Sequence, residues 1–395
     1  MAIDLSRRIN RIKPSATMAV TALAAQLRAD GKDIIGLGAG EPDFDTPKHI
    51  KQAAHSAIHD GFTKYTAVDG TVELKQAIID KFRRDNDLTF EPEQIIVSSG
   101  AKQCIFNLCQ VLIDDGDEVI VPAPYWVSYS DIPRVCGGKI VDVFAGPGQG
   151  FKITPEQLES VINERTRLLM LNSPSNPTGA TYTREELKAL GDVLQKHEHV
   201  TIMTDDIYEH IYWGEEAFCS FATACPELKE RTVVVNGVSK CYAMTGWRIG
   251  YAGGPSEIIA AMKKLQSQST SNPSSISQVA AMAALAGDQS CVDKMTAEFK
   301  TRHDFVLSAL KEIDDVHCTA ASGTFYLFPD MRRVITRKGF EDDLELTRFL
   351  LDTAGVALVG GSAFGAPGFV RASYATDLAT LQTAMQRLRQ ALTED

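Results

Sequence analysis

The sequence predicts an α/β protein: a mostly parallel seven-stranded sheet with helices on both faces, joined to a smaller α+β unit. Three observations lead there. Seven short β-rich runs punctuate the middle of the chain, at residues 95–97, 118–121, 139–144, 168–171, 201–204, 232–235 and 249–252. Stretches between them carry helical spacing: Ile105, Leu108, Cys109 and Leu112 fall at i, i+3, i+4 and i+7, and Leu187, Leu190 and Leu194 repeat the pattern. Most of the β-rich runs are apolar throughout, as in parallel strands covered on both faces.

The chain changes character toward its end. From about Val292 onward long amphipathic helices dominate, as at Leu378, Leu381, Met385, Leu388 and Leu392. Strand candidates at 324–328, 356–359 and 369–373 are mixed among them. The first 45 or so residues hold one helix, 16–29, and a turn-rich segment. We expect a large domain over 48–288 and a small one formed from both chain ends, 1–47 and 289–395.

At 395 residues, 44% hydrophobic and 23% charged, the composition is that of an ordinary globular chain with a large core. A net charge of -11 without a long basic run argues against nucleic acid or an anionic membrane as partner. No apolar stretch approaches the ~18 residues of a membrane span. Residues 1–11 are polar and lack the apolar core of a signal peptide. The eight cysteines form no CxxC pair, and no histidine cluster lies at zinc spacing. We therefore expect free thiols, no metal and a cytoplasmic location.

Ligands of an open α/β sheet bind beyond the carboxyl ends of its strands. Four loops follow such ends. After 95–97 comes Ser98-Ser99-Gly100-Ala101-Lys102-Gln103 and then a helix, the setting for an anion on free backbone N–H groups. After 168–171, Asn176 stands before Pro177 in a turn-forming segment. After 201–204 come Asp205, Asp206, Ile207 and Tyr208; a strand-end carboxylate needs a cation or serves as a helix cap. After 232–235 come Asn236-Gly237-Val238-Ser239-Lys240, with Arg248 eight residues further on. Each loop alone has an ordinary structural reading. Together they put an anion cradle, a carboxylate, a lysine able to bond a carbonyl compound and a phosphate-matching arginine at one sheet edge. A flat heteroaromatic aldehyde phosphate needs that set.

These residues, with Lys13-Pro14-Ser15-Ala16-Thr17, Gly40-Glu41-Pro42-Asp43-Phe44, Lys64-Tyr65, the segment 124–129, the segment 172–179, the segment 244–251 and the segment 371–376, resemble the class I aminotransferases of fold type I. The resemblance spans essentially the whole chain and is strongest to the aspartate aminotransferases of subgroup Ib, a branch that includes enzymes acting on aspartate and prephenate. It implies pyridoxal 5′-phosphate as cofactor, amino acids and 2-oxo acids as substrates, and a homodimer with shared sites. It implies that Lys240 carries the cofactor and moves the substrate proton. Asp205 would pair with the ring nitrogen, Tyr208 and Asn176 with the 3-hydroxyl, and Trp126 with the ring face. Ser99, Gly100, Ala101, Lys102 and Arg248 would hold the phosphate, with Tyr65 reaching it from the neighbouring subunit, and Ser239 would also contact the cofactor. Arg371 would clamp the substrate α-carboxylate, with Gly40, Trp126 and Asn176 beside it.

Two positions depart from common family patterns. Gly237 stands where many relatives place a phosphate-binding hydroxyl. The segment 267–272 holds no arginine for the distal carboxylate, and Lys13 is the expected substitute, with Ser15 and Thr17 nearby. A lysine grips one carboxylate oxygen and tolerates more substrate shapes than a bidentate arginine. Rival readings are a broad-specificity or aromatic aminotransferase, a cysteine-conjugate β-lyase, or a non-catalytic ligand-binding regulator on this fold. A nicotinamide enzyme is disfavoured, because Gly36-Leu37-Gly38-Ala39-Gly40 is followed by Glu41 where the fingerprint needs its third glycine.

Overall fold

The computed structural model describes residues 3–393, so the outermost ends of the expected small domain lie outside the described residues. A short strand β1 (Ile35–Gly36) precedes seven strands of one sheet: β2 (Ile95–Ser98), β3 (Glu118–Ala123), β4 (Lys139–Phe144), β5 (Thr166–Asn172), β6 (Thr201–Asp205), β7 (Thr232–Gly237) and β8 (Gly250–Gly253). Their order is β2-β8-β7-β6-β5-β3-β4. Strands β4, β3, β5, β6 and β7 are mutually parallel, and β8 runs antiparallel to both β7 and β2. All seven expected strands are present.

Alternation of period two sorts their side chains between two buried faces. Ile96, Val119, Val121, Leu168, Met170, Met203, Val233 and Val235 pack on one face with Ile105 and Leu108 of α4 (Ala101–Leu112). Ile95, Val97 and Val234 pack on the other, under Leu74, Ile78 and Phe82 of α3 (Val72–Asn86). On that same side Ile120, Leu169, Leu171 and Ile202 meet Leu187 and Leu190 of the helix Arg184–Leu194. Strand β4 lies at the edge and exposes Lys139, Asp142 and Phe144. Charges on such a strand discourage pairing with other chains.

A second core is built from residues far apart in sequence. Ile35 and Leu37 join Phe299, Val306 and Leu310 of the 22-residue helix Ser290–Lys311 and Leu381, Met385 and Leu388 of the helix Leu378–Thr393. The strands here are β9 (Tyr326–Leu327), β10 (Val356–Ala357), β11 (Val359–Gly360) and β12 (Val370–Ser373). Strand β1 pairs in parallel with β10, while β11, β12 and β9 form an antiparallel sheet. The expected strand 356–359 is thus two, divided at Leu358 between two sheets. The expected strand 324–328 is shorter, because Thr324 at φ 67° breaks the extended backbone. Helix α1 (Ala16–Ala29) buries only Ala24 fully. No described helix is long and apolar enough to cross a membrane.

Candidate active site

Register brings the expected loops together. Ser98 pairs with Gly250, and Gly250 with Gly237. Asn172 pairs with Asp205, and Asp205 with Val235. The carboxyl ends of β2, β5, β6 and β7 therefore share one edge. A cleft of about 430 Å³ opens there, lined among others by Ser15, Thr17, Gly40, Lys102, Trp126, Asn176, Asp205, Tyr208, Lys240, Arg248 and Arg371.

One end of the cleft is cationic. The turn after β2 delivers Gly100, at φ 93°, as the cap of α4. Arg248 fills the space a side chain at position 100 would take: a Cβ there would stand 2.4 Å from its Nη2. Gly250 is equally constrained, since a Cβ on it would lie 2.0 Å from the Ala101 nitrogen. The bare backbone of β8 thus lets the turn rest on it. Arg248 itself is held at φ 57°, a conformation costly for a side-chain-bearing residue, with Nη1 donating to the Thr245 carbonyl at 2.9 Å. Lys102 sits 4.8 Å above the Trp126 ring. Burial, then the nearby Arg248, lowers its pKa. No described carboxylate pairs with Lys102 or Arg248. With the free N–H groups of α4 they suit a dianion.

The floor is acidic. Asp205 is buried; its Oδ2 accepts the Tyr129 hydroxyl at 2.6 Å and its Oδ1 the Ile207 N–H at 3.1 Å. Burial raises its pKa to about 6 against the pull of those donors and of Lys240. The side chain of Asn172 donates to the Asp205 carbonyl at 2.8 Å and accepts the Asn176 N–H at 2.8 Å, locking the two loops together. The Tyr208 hydroxyl meets that of Tyr326 at 3.0 Å.

Two further cations face the loop 38–40. Lys240 Nζ donates to the Gly40 carbonyl at 2.6 Å. Burial, followed by repulsion from Arg371, lowers its pKa to about 8. Arg371 is wholly buried, with Nη2 on the Gly38 carbonyl at 2.8 Å and Nη1 on Asn176 Oδ1 at 2.9 Å. Its Nε has no partner among the described residues. A buried guanidinium without a carboxylate is costly, and a ligand carboxylate would complete it.

The donor set fits pyridoxal 5′-phosphate: a cationic corner for the phosphate, a lysine of lowered pKa for the aldehyde, and a buried carboxylate for a protonated ring nitrogen. Of the residues singled out in the sequence, Gly40, Ala101, Lys102, Trp126, Asn176, Asp205, Tyr208, Ser239, Lys240, Arg248 and Arg371 line this one cleft. Ser99 touches it through Arg248, whose Nη2 donates to the Ser99 carbonyl at 3.4 Å, and Gly100 packs against the same guanidinium. Lys13 and Tyr65 lie outside it, Tyr65 being 91% exposed. Sequence reasoning gave no role to Tyr129, Asn172 or Tyr326. Tyr129 follows Trp126 by three residues, a spacing that could have flagged it; Tyr326 sits in an apolar run and reads as core.

An enzyme that uses a lysine-bound pyridoxal cofactor is the class that this fold and site define. Residues 32–388 match the family described as aminotransferase class I and II, and the chain belongs to it. Pyridoxal 5′-phosphate is the cofactor of this family. An aspartate/prephenate aminotransferase of Nitrosomonas europaea is 56% identical, over 99% of this chain and 100% of the relative. Among solved structures, an aspartate aminotransferase of Rhizobium meliloti aligns with a TM-score of 0.94 at 48% identity, covering 99% of both chains. One from Thermus thermophilus with maleate aligns at 0.93 and 43% identity, covering 99% of this chain and 100% of the other.

Proposed function

We propose that the chain transfers the amino group of L-aspartate, or a related dicarboxylic amino acid, to 2-oxoglutarate, and that prephenate is a further acceptor. The names of its relatives, aspartate and aspartate/prephenate aminotransferases, support aspartate and prephenate as substrates. The observation that carries the reading is Arg371, a buried guanidinium lacking a carboxylate and tied to the same loop as the Lys240 amine.

Bound pyridoxal phosphate supplies a conjugated ring that takes up the electron pair left when Cα loses its proton. The remaining work falls to side chains. Arg371 grips the α-carboxylate with its planar fork and so fixes the direction of the Cα–H bond. Lys240 carries the cofactor and then, as a free amine, moves the proton at Cα; its lowered pKa keeps a usable neutral fraction near neutral pH. Asp205 keeps the ring nitrogen protonated, and that cation in turn favours the ionised carboxylate. Tyr208 and Asn176 hold the 3-hydroxyl, and Trp126 covers the ring. Ser99, Gly100, Ala101, Lys102 and Arg248 hold the phosphate, and Ser239 lines the cofactor's cleft. Gly40 lends a backbone contact to the substrate.

Lys13, with Ser15 and Thr17 two and four residues on, receives the distal carboxylate. Tyr65 serves the phosphate site of a second copy, which makes the working unit a homodimer; its exposure in the single chain supports this. The division into 48–288 and the joined ends 1–47 and 289–395 is supported by the β1–β10 pairing. A cytoplasmic location suits these soluble substrates.

The test is a half-reaction survey. Cofactor-loaded protein is mixed with L-aspartate, L-glutamate, L-alanine or L-phenylalanine, and loss of visible absorbance is followed. Recovery is then measured with 2-oxoglutarate and prephenate. Aspartate and glutamate should bleach the band, and both acceptors should restore it. Bleaching by alanine or phenylalanine alone, or pyruvate release from cysteine conjugates in place of transfer, would overturn the reading.

A further inference from the structure

Tyr326 lies on β9, fully buried, and its side chain borders the cleft. Three neighbours meet it. Its hydroxyl stands 3.0 Å from the Tyr208 hydroxyl. The Arg371 guanidinium lies over its ring, 4.4 Å from the centroid. The same hydroxyl packs on Gly40, where an added Cβ would come within 3.0 Å of it. Gly40 is the residue whose carbonyl holds Lys240.

Burial raises the pKa of both phenols, so both stay protonated near neutral pH. Neither hydroxyl has another partner among the described residues. Two protons and one hydrogen bond leave one O–H free. If Tyr208 is to donate to a ligand oxygen in the cleft, it must accept from Tyr326. A hydroxyl that accepts a hydrogen bond also donates more strongly.

We infer that Tyr326 is a positioning residue for both ends of the site: its hydroxyl donates to Tyr208 and frees the Tyr208 proton for the cofactor's ring oxygen, and its ring underlies Arg371 and holds the guanidinium ready for the substrate carboxylate. The inference rests on the pyridoxal-phosphate reading of Tyr208 and Lys240.

Two measurements on cofactor-loaded protein separate the halves of this role. The first is the pH midpoint at which the visible band changes. Without the Tyr326 hydroxyl, Tyr208 becomes a weaker donor, more negative charge remains on the ring oxygen, and the adjoining lysine nitrogen keeps its proton to higher pH. Tyr326→Phe should raise the midpoint by roughly half a pH unit. In a Tyr208→Phe background the same change should add nothing, an outcome that general loosening of the site would not give. The second measurement is calorimetric affinity for maleate, an unreactive dicarboxylate. Tyr326→Phe keeps the ring and should leave affinity unchanged. Tyr326→Leu should weaken it by roughly 5- to 30-fold, with Tyr326→Met as the second variant should Tyr326→Leu not fold.

An unmoved midpoint in Tyr326→Phe, or equal shifts in both backgrounds, would overturn the hydroxyl half. Unchanged maleate affinity without the ring would overturn the other half. No visible band in the unsubstituted protein would overturn the cofactor reading itself, and this inference with it.

Discussion

The Tyr129 hydroxyl and the Asp205 carboxylate meet at 2.6 Å on the floor of the cleft. Even so gripped, the carboxyl has a pKa of about 6, against an ordinary 3.8, because burial outweighs its donors. In the cofactor-free chain the folded state therefore favours protonated Asp205. That contribution is fully present below pH ~4 and is lost as pH rises through about 6. The stability of the cofactor-free chain relative to Asp205→Asn should thus fall by about 3 kcal/mol between pH ~4 and ~7, read from urea unfolding. A difference independent of pH would refute it. In the loaded enzyme Asp205→Asn should retain cofactor and lose most of the chemical step, seen in single-turnover rates.

Lys240 gives a separate signature. With a pKa of about 8, its amine should load cofactor at a rate that climbs with pH and levels off near that value. An ordinary lysine would keep climbing toward pH ~10. Lys240→Ala should abolish both the visible band and turnover, and retention of either would disprove the assignment.

Arg371→Lys should leave the visible band intact while kcat/KM for aspartate falls roughly 100-fold or more. Each charge-assisted hydrogen bond is worth about 1.5–3 kcal/mol, and a lysine cannot supply the two-pronged grip. A loss confined to kcat, with maleate affinity unchanged, would contradict a role in carboxylate binding.

Behind the site lies a buried ion pair. Lys81 of α3 bonds Glu209, whose oxygens also accept Asn236 at 2.6 Å and Asn86 at 2.7 Å. The group ties α3 to the segment after Asp205 and to the strand that leads to Lys240. Lys81→Met strands a buried carboxylate and should cost about 3–5 kcal/mol in urea unfolding. Adding Glu209→Gln should recover much of that. A Lys81→Met chain as stable as its parent would show that the pair is not coupled to folding.

Much of this architecture was legible in the sequence. The runs at 118–121, 168–171 and 232–235 marked strands covered on both faces, and residues beyond them line one cleft. Lys240 and Asp205 stand out as reactive or charged groups after buried strands and Arg248 as a guanidinium close behind Lys240, and all three line the cleft. Other features left weaker traces. Tyr326 is hidden in an apolar run, and its role depends on Tyr208 and Arg371, 118 and 45 positions away in the chain. The split at Leu358 depends on which of two sheets each flanking pair joins, a tertiary choice with no local signature. Lys13 and Tyr65 stand out in the sequence only through the motifs around them, and both lie outside the cleft of the single chain.

The reversal of β8 has a consequence for how the enzyme is assembled. A parallel strand in that place would start at the far side of the sheet, and a residue just before it would arrive a full strand length from Lys240. Because β8 runs back antiparallel to β7, Lys240 and Arg248 both lie on the link 238–249 between the two strands, at the sheet edge where the cleft opens. A displacement of that link would act on both residues at once.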